Sequence, residues 1–344
     1  MFIGRRRFHA DVRGWNAPTR KVPAHYKKAT FSQMRTGDEL LAAAIDLAWS
    51  LWGELGVSTW SPRSHRLWAV ELEPLLAFTA LVAPHDERLL RESVSWCAAH
   101  PSFVSLQQLR TVVTTQRWPF AGEIHRYGAT LARYAGLRWA GLDGDPPYDV
   151  VLSGKSRLGS LHDPSLIQLR LRAIFGVSAR AEIVRVLLTR PSSEWSVTQL
   201  ADRVPYTRRQ VSADLEMLAL GGLTHRAGSS GKFTYALVDH DAFRRLVGEV
   251  PAYTPQWAPL FRIMSGLLDA VTQLISKPPS MPGAELARQF RLLEPPFAQL
   301  RLSHPRATDD GAYFERGVGW VADLFSSVSR GDAAALKALG VSTN

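Results

Sequence analysis

The amino-acid sequence predicts a mainly α-helical protein with one small β-hairpin near its middle. Three observations predict it. Apolar residues recur at three- and four-residue steps through the first part of the chain, without a convincing alternation of period two. Two capping boxes, Ser196-Val197-Thr198-Gln199 and Thr207-Arg208-Arg209-Gln210, start two helices in close succession. Beyond them Phe233, Tyr235 and Leu237 alternate with Lys232, Thr234 and Ala236, as a hairpin with one buried face requires.

Size and composition bound the rest. The chain has 344 residues, 46% hydrophobic and 21% charged, with 25 Gly and 21 Pro, the composition of a globular protein long enough for two or three cores. Cys97 is the single cysteine, so no intramolecular disulfide framework or cysteine zinc site is expected, and a reducing cytoplasm is the expected setting. The most apolar stretch, Leu40 to Leu55, is interrupted by Asp46 and Glu54, which predicts a soluble chain. The net charge of +10 is concentrated at the start: residues 1–36 hold nine Arg or Lys against Asp11 alone and supply +8 of it. They show no helical or strand period and read as a mobile basic arm. That arm is a DNA tracker, a solvated tail without a role, or an artefact of a start further on, for example at Met34. It has no apolar signal-peptide region and no clear amphipathic transit helix.

The elements follow in order. From Asp38, Leu41, Ala44, Ile45, Ala48, Leu51, Trp52 and Leu55 form a helical stripe, with Asp38 as its cap and Gly56 as its stop. Further helices are expected at Leu67 to Val82, Glu87 to Ala99, Ser105 to Thr114 and Ala121 to Leu137, giving an α-helical domain over residues 37–140. Gly, Pro, Asp and Ser then mark a linker, residues 141–162. Asp163-Pro164 opens a new unit, residues 163–250, with proline at the first helical position. Pro251, Pro255 and Pro259 mark the joint to a C-terminal helical region, residues 251–344, with helices at Leu260 to Ser276, Ala284 to Leu293 and Tyr313 to Ser329.

The middle unit carries the most specific pattern. An apolar helix with Ile183, Val184, Val186, Leu187 and Leu188 is stopped by Pro191. The first capping box starts a short helix, Val197 to Arg203; Pro205 and Tyr206 turn the chain; the second box starts a longer helix, 207–220. Leu200, Ala201 and Val204 are placed to pack on Val211, Leu215 and Leu218, a helix-turn-helix. After Gly221-Gly222, strands at Leu223 to Ala227 and Lys232 to Val238 flank the tip Gly228-Ser229-Ser230-Gly231. Helix, helix, turn, helix and hairpin in this order resemble the winged helix-turn-helix domains of bacterial transcription regulators such as the MarR, ArsR and GntR types. The likeness covers about sixty residues and is carried by Val197 to Ala201, Thr207 to Ser212 and Leu218 to Leu223. The lead-in Phe175 to Ile183 is similar to actinobacterial winged-helix proteins with large helical flanks. The flanks do not match the dimerisation helices of the MarR type in length or order.

What the resemblance implies is sequence-specific binding of double-stranded DNA to regulate transcription. The second helix offers unpaired N–H groups and its positive dipole end, and Arg208 and Arg209 add charge there. Arginine in the major groove pairs bidentately with guanine. Thr207, Gln210, Ser212 and Ala213 complete the expected groove face, with His225, Arg226 and Lys232 of the hairpin on the adjacent backbone. Each has a plainer explanation: Thr207 and Gln210 as caps, Arg208 and Arg209 as a solvated helix end, Arg226 and Lys232 as surface charges. A homodimer would place two such helices on successive half-sites, with Leu260 to Ser276 a candidate dimer helix. The span Arg180 to His240 is only +2, however. A protein-interaction adaptor or antitoxin-like partner is therefore the alternative.

No catalytic residue, metal site or cofactor is expected. Gly154-Lys155-Ser156 has Asp149 where a phosphate loop needs glycine; His85-Asp86 and His162-Asp163 read as helix caps; HExxH and GxSxG are absent; and Asp143 and Asp145 lie on the wrong side of Gly159-Ser160 for nucleotidyl transfer. Seven of eleven tryptophans (Trp49, Trp52, Trp60, Trp68, Trp96, Trp118, Trp139) fall in the first helical domain. Core packing explains them; an aromatic pocket for a small-molecule effector is the sharper reading.

Overall fold

The computed structural model describes residues 24–59, 65–138, 146–190, 194–229, 231–276, 281–308 and 312–338. Among them, fifteen α-helices and one three-stranded antiparallel sheet make the fold mainly helical. The first helix, α1, spans Ala24–Glu54. It begins well before Asp38, so residues 24–36 are helical where an aperiodic arm was expected. The reason is compositional: no proline or glycine falls between Pro23 and Gly37, and Ala, Lys, Gln, Met and Arg are good helix formers. The remainder of that arm, residues 1–23, lies outside the described residues.

α2 (Leu72–Val82), α3 (Glu87–Ala99), α4 (Leu106–Gln116) and α5 (Ala121–Ala135) follow. α2 starts at Leu72 rather than Leu67 because the residues before it are held extended. Ala69 N–H donates to Tyr253 O (2.8 Å), Tyr253 N–H to Leu67 O (3.0 Å) and Val70 N–H to Ser165 O (2.9 Å). Asp86 caps α3 by accepting from Leu89 N–H, as expected, and also takes the Trp49 indole N–H (2.7 Å). Asp163 does not cap with its side chain; it pairs instead with Arg66 (3.3 Å).

The expected linker is partly outside the described residues, and its described part, 146–162, is fastened to the helices. Tyr148 N–H donates to Thr130 Oγ1, Ser153 N–H to Ser95 Oγ, and Gly159 N–H to Leu55 O. Gly56 permits that last approach: its φ is +97° and a Cβ there would meet Gly159 N at 2.4 Å.

The middle unit runs through a 3-10 turn at Pro164–Leu166, α6 (Ile167–Phe175), α7 (Ala179–Thr189), β1 (Trp195–Ser196), α8 (Val197–Ala201), α9 (Arg208–Leu220), β2 (Thr224–Ser229), β3 (Lys232–Leu237) and α10 (His240–Val247). β1 and α10 were not foreseen. Two residues cannot display a period, and α10 is only two turns, started by Asp239 accepting from Ala242 N–H (2.7 Å). The strand order is β1-β3-β2, with Trp195 opposite Tyr235 and Arg226 opposite Tyr235 on the other side. The last helices are α11 (Trp257–Ser276), α12 (Pro282–Leu292), α13 (Glu294–Leu300), α14 (Tyr313–Ser329) and α15 (Ala333–Ala338). α13 escaped the sequence reading because Pro295-Pro296 looks like a break, yet prolines fit the first turn of a helix.

Two hydrophobic cores result. One is shared by α1–α5 and α11–α15, so the helices on both sides of the middle unit form a single body. Phe78 of α2 stacks on Phe261 of α11 at 4.3 Å, and Trp257 lies against Trp68. Trp49, Trp52, Trp68, Trp96 and Trp118 of the first helices and their connections are buried in this body. Three of their indole N–H groups donate within it: Trp52 to Thr79 Oγ1, Trp96 to Leu55 O and Trp118 to Val112 O. α11 lies at the centre, with Leu260, Phe261, Ile263, Met264, Leu267 and Val271 all buried. Its apolar face is thus used within the chain, which removes it as the dimer helix. The second core gathers α7–α10 and the sheet.

Candidate nucleic-acid interface

The middle unit's geometry begins with its caps. Ser196 and Gln199 form the full box that the sequence suggests: Gln199 N–H donates to Ser196 Oγ (3.2 Å) and Ser196 N–H to Gln199 Oε1 (2.9 Å). At α9 only half of the second box forms. Thr207 Oγ1 accepts from Gln210 N–H (3.3 Å), while the exposed Gln210 amide has no return bond among the described residues. The capping explanation of Gln210 therefore fails, since at an exposed site water competes for that bond.

α9 buries Val211, Leu215 and Leu218 against the rest of the unit. Thr207, Arg208, Arg209, Gln210 and Ala213 are exposed, and Ser212 is half-buried. At 100° per residue, Arg209, Ala213 and Glu216 point directly away from the buried stripe, whereas Arg208 and Ser212 sit on its shoulder. Glu216 was not singled out from sequence; its spacing from Arg209 and Ala213 was the available signal. Asp214, half-buried on the opposite shoulder, pairs with Arg180 of α7 (2.8 Å). On the hairpin, His225, Arg226 and Lys232 are exposed. The Arg226 guanidinium stacks over Phe233 at 4.2 Å, which holds it on the sheet surface.

A buried ionic network fixes this unit to the helical body. Arg172 of α6, 1% exposed, donates bidentately to Glu73 of α2 (2.7 and 2.9 Å) and also to Glu182 of α7 (2.7 Å). Glu182 takes Arg185 (2.8 Å), which continues to Glu71 (2.9 Å). Arg172 further donates to Gln108 Oε1, whose amide lies 3.5 Å from Tyr206 Oη in the turn before α9. The charge balance holds Glu182 far below the usual carboxylate range: burial pushes it up, but Arg172 and Arg185 pull it down to about 2. Glu71 goes the other way, burial outweighing Arg185. Sequence reasoning missed this network because its members are far apart in the chain.

Arg170 closes the unit's ends. It donates to Leu161 O and Asp163 O (2.8 Å) at the entry and to Val247 O (2.6 Å) and Glu249 O (2.8 Å) at the exit. Among the described residues no three His, Cys, Asp or Glu side chains converge as a metal would need, and no helix is long and apolar enough to cross a membrane. No family model matches the chain, nor does any curated protein or solved structure.

Proposed function

We propose that α7–α9 with the β2–β3 hairpin are a winged helix-turn-helix that binds double-stranded DNA and regulates transcription. The observation that carries this reading is the first turn of α9: Thr207, Arg208, Arg209 and Gln210 are all exposed, and neither arginine has a protein partner among the described residues. Their charge and the helix's free N–H groups are thus available to a duplex. Arg209 on the outward face is the proposed guanine reader, Arg208 on the shoulder a phosphate contact, and Glu216 an acceptor for cytosine N4. Ser212 and Ala213 lie within reach of bases, and His225, Arg226 and Lys232 of the wing meet the flanking backbone. A homodimer would set two such helices about 34 Å apart.

The test is anisotropy binding to the DNA upstream of the protein's own coding sequence and to scrambled DNA, across a salt series. Preference for the upstream DNA, lost in Arg208→Ala/Arg209→Ala, supports the reading; equal binding to both DNAs contradicts it. A second reading, a protein-contact module, is favoured by one observation: Met217, Leu220, Val238 and Leu246 of the same unit are exposed apolar side chains. A stoichiometric protein partner together with no salt-sensitive DNA binding would select it.

A further inference from the structure

A cleft of about 640 Å³ lies between the middle unit and the helical body, within the size range of small-molecule sites. Three arginines line it from three elements: Arg190 just after α7, Arg203 just after α8, and Arg301 just after α13. None of the three guanidinium groups has an ion-pair or hydrogen-bond partner among the described residues. Arg190 is lowered to about 10 by burial and by Arg203 and Arg185, and Arg203 is lowered by burial and by Arg301. Glu194 and Asp202 also line the cleft without pairing with them; Glu194 instead accepts from Thr234 Oγ1 (2.8 Å).

The cleft's polar groups are also unfinished. Arg203 lies over the Trp195 ring (5.2 Å), and the Trp195 Nε1–H is buried without an acceptor. In the adjoining recess, which Arg190 and Arg203 also line, the buried Thr254 hydroxyl has no partner either. A cluster of like charges and idle donors is costly unless an anion completes it.

We propose that this cleft binds a soluble phosphorylated small molecule, its phosphate held by Arg190, Arg203 and Arg301. Guanidinium forks match phosphate oxygens bidentately, and three cations suit a group with at least two negative charges. A duplex presents its phosphates on a convex surface, which suits the exposed Arg208 and Arg209; Arg190 and Arg203 are half-buried and suit a molecule small enough to enter. Such a ligand would bridge the two bodies beside the turn that leads into α9. The assignment stands apart from the DNA reading, because it uses none of the α9 arginines.

The experiment is isothermal titration of the full chain with pyrophosphate, and separately with citrate. Wild type is expected to bind pyrophosphate saturably at one site and citrate more weakly. Arg203→Gln and Arg301→Gln should each weaken pyrophosphate binding about tenfold or more, while Arg208→Ala/Arg209→Ala leaves it unchanged. Relief of repulsion predicts unfolding midpoints for the glutamine variants no lower than wild type, and the exposed position of Arg301 makes its variant the safer for folding. The proposal is overturned by no saturable pyrophosphate binding, by unchanged affinity in both glutamine variants, or by citrate binding as tightly. Loss of duplex binding in those variants without any pyrophosphate binding would also overturn it, assigning the arginines to DNA.

Discussion

Arg172 shows what a single side chain does in this molecule: it satisfies two carboxylates, a carbonyl and an amide contributed by α2, α7 and the chain before and within α4. Removing one partner of such a buried group leaves uncompensated charge. Arg172→Met is therefore expected to cost about 3–5 kcal/mol in urea unfolding, and a loss below about 1 kcal/mol would contradict the role given to the network. The same residues set an acid limb. Glu182 is held near 2 in the fold against an ordinary value of about 4.3. Its contribution is present above the ordinary value and lost as pH falls towards about 2. Glu71, pushed up by burial, takes its proton at higher pH and opposes this in part. Plots of unfolding free energy against pH should slope less in Glu182→Gln than in wild type below about pH 4; parallel slopes would show that Glu182 does not carry the limb.

At the scale of elements, caps decide which helices start where. Ser196→Ala removes a complete box and is expected to cost about 1–2 kcal/mol, whereas Thr207→Ala removes half of one and should cost about 0.5–1 kcal/mol. Equal losses in thermal unfolding would place the missing return bond of Gln210 in solution after all. The sequence was legible where local chemistry dominates. Asp86, Ser196 and Thr207 announce their helices, and the apolar spacing of Val211, Leu215 and Leu218 fixes which side of α9 is buried. It was illegible where partners are distant. The extended run before α2 is held by Tyr253 and Ser165, β1 exists because β3 receives it, and the sharing of one core by α1 and α11 has no local signature. Arg208, Arg209 and Gln210 are exposed as the sequence suggests, Glu216 beside them was overlooked, and the Gln210 side chain does not complete the capping box that was its plainer explanation.

For the whole molecule, the consequence of one shared body is that neither helical flank stands alone. Deleting residues 251–344 strips α11 from Phe78, Trp68 and the α1 stripe, so the helices before the middle unit should lose hydrogen-exchange protection. Retained protection in α1 and α2 of that fragment would mean the body divides. The body holds the middle unit through the Arg172 network and the bond from Val70 N–H to Ser165 O, and leaves the first turn of α9 facing outward. Whether that turn reads DNA is tested most directly by selecting bound sequences from a randomised duplex pool with wild type and with Arg209→Ala. Enrichment of a motif containing a fixed guanine, with that one position relaxed in the variant, is the expected result. A wild-type pool without enrichment, or an identical motif from both proteins, would contradict it.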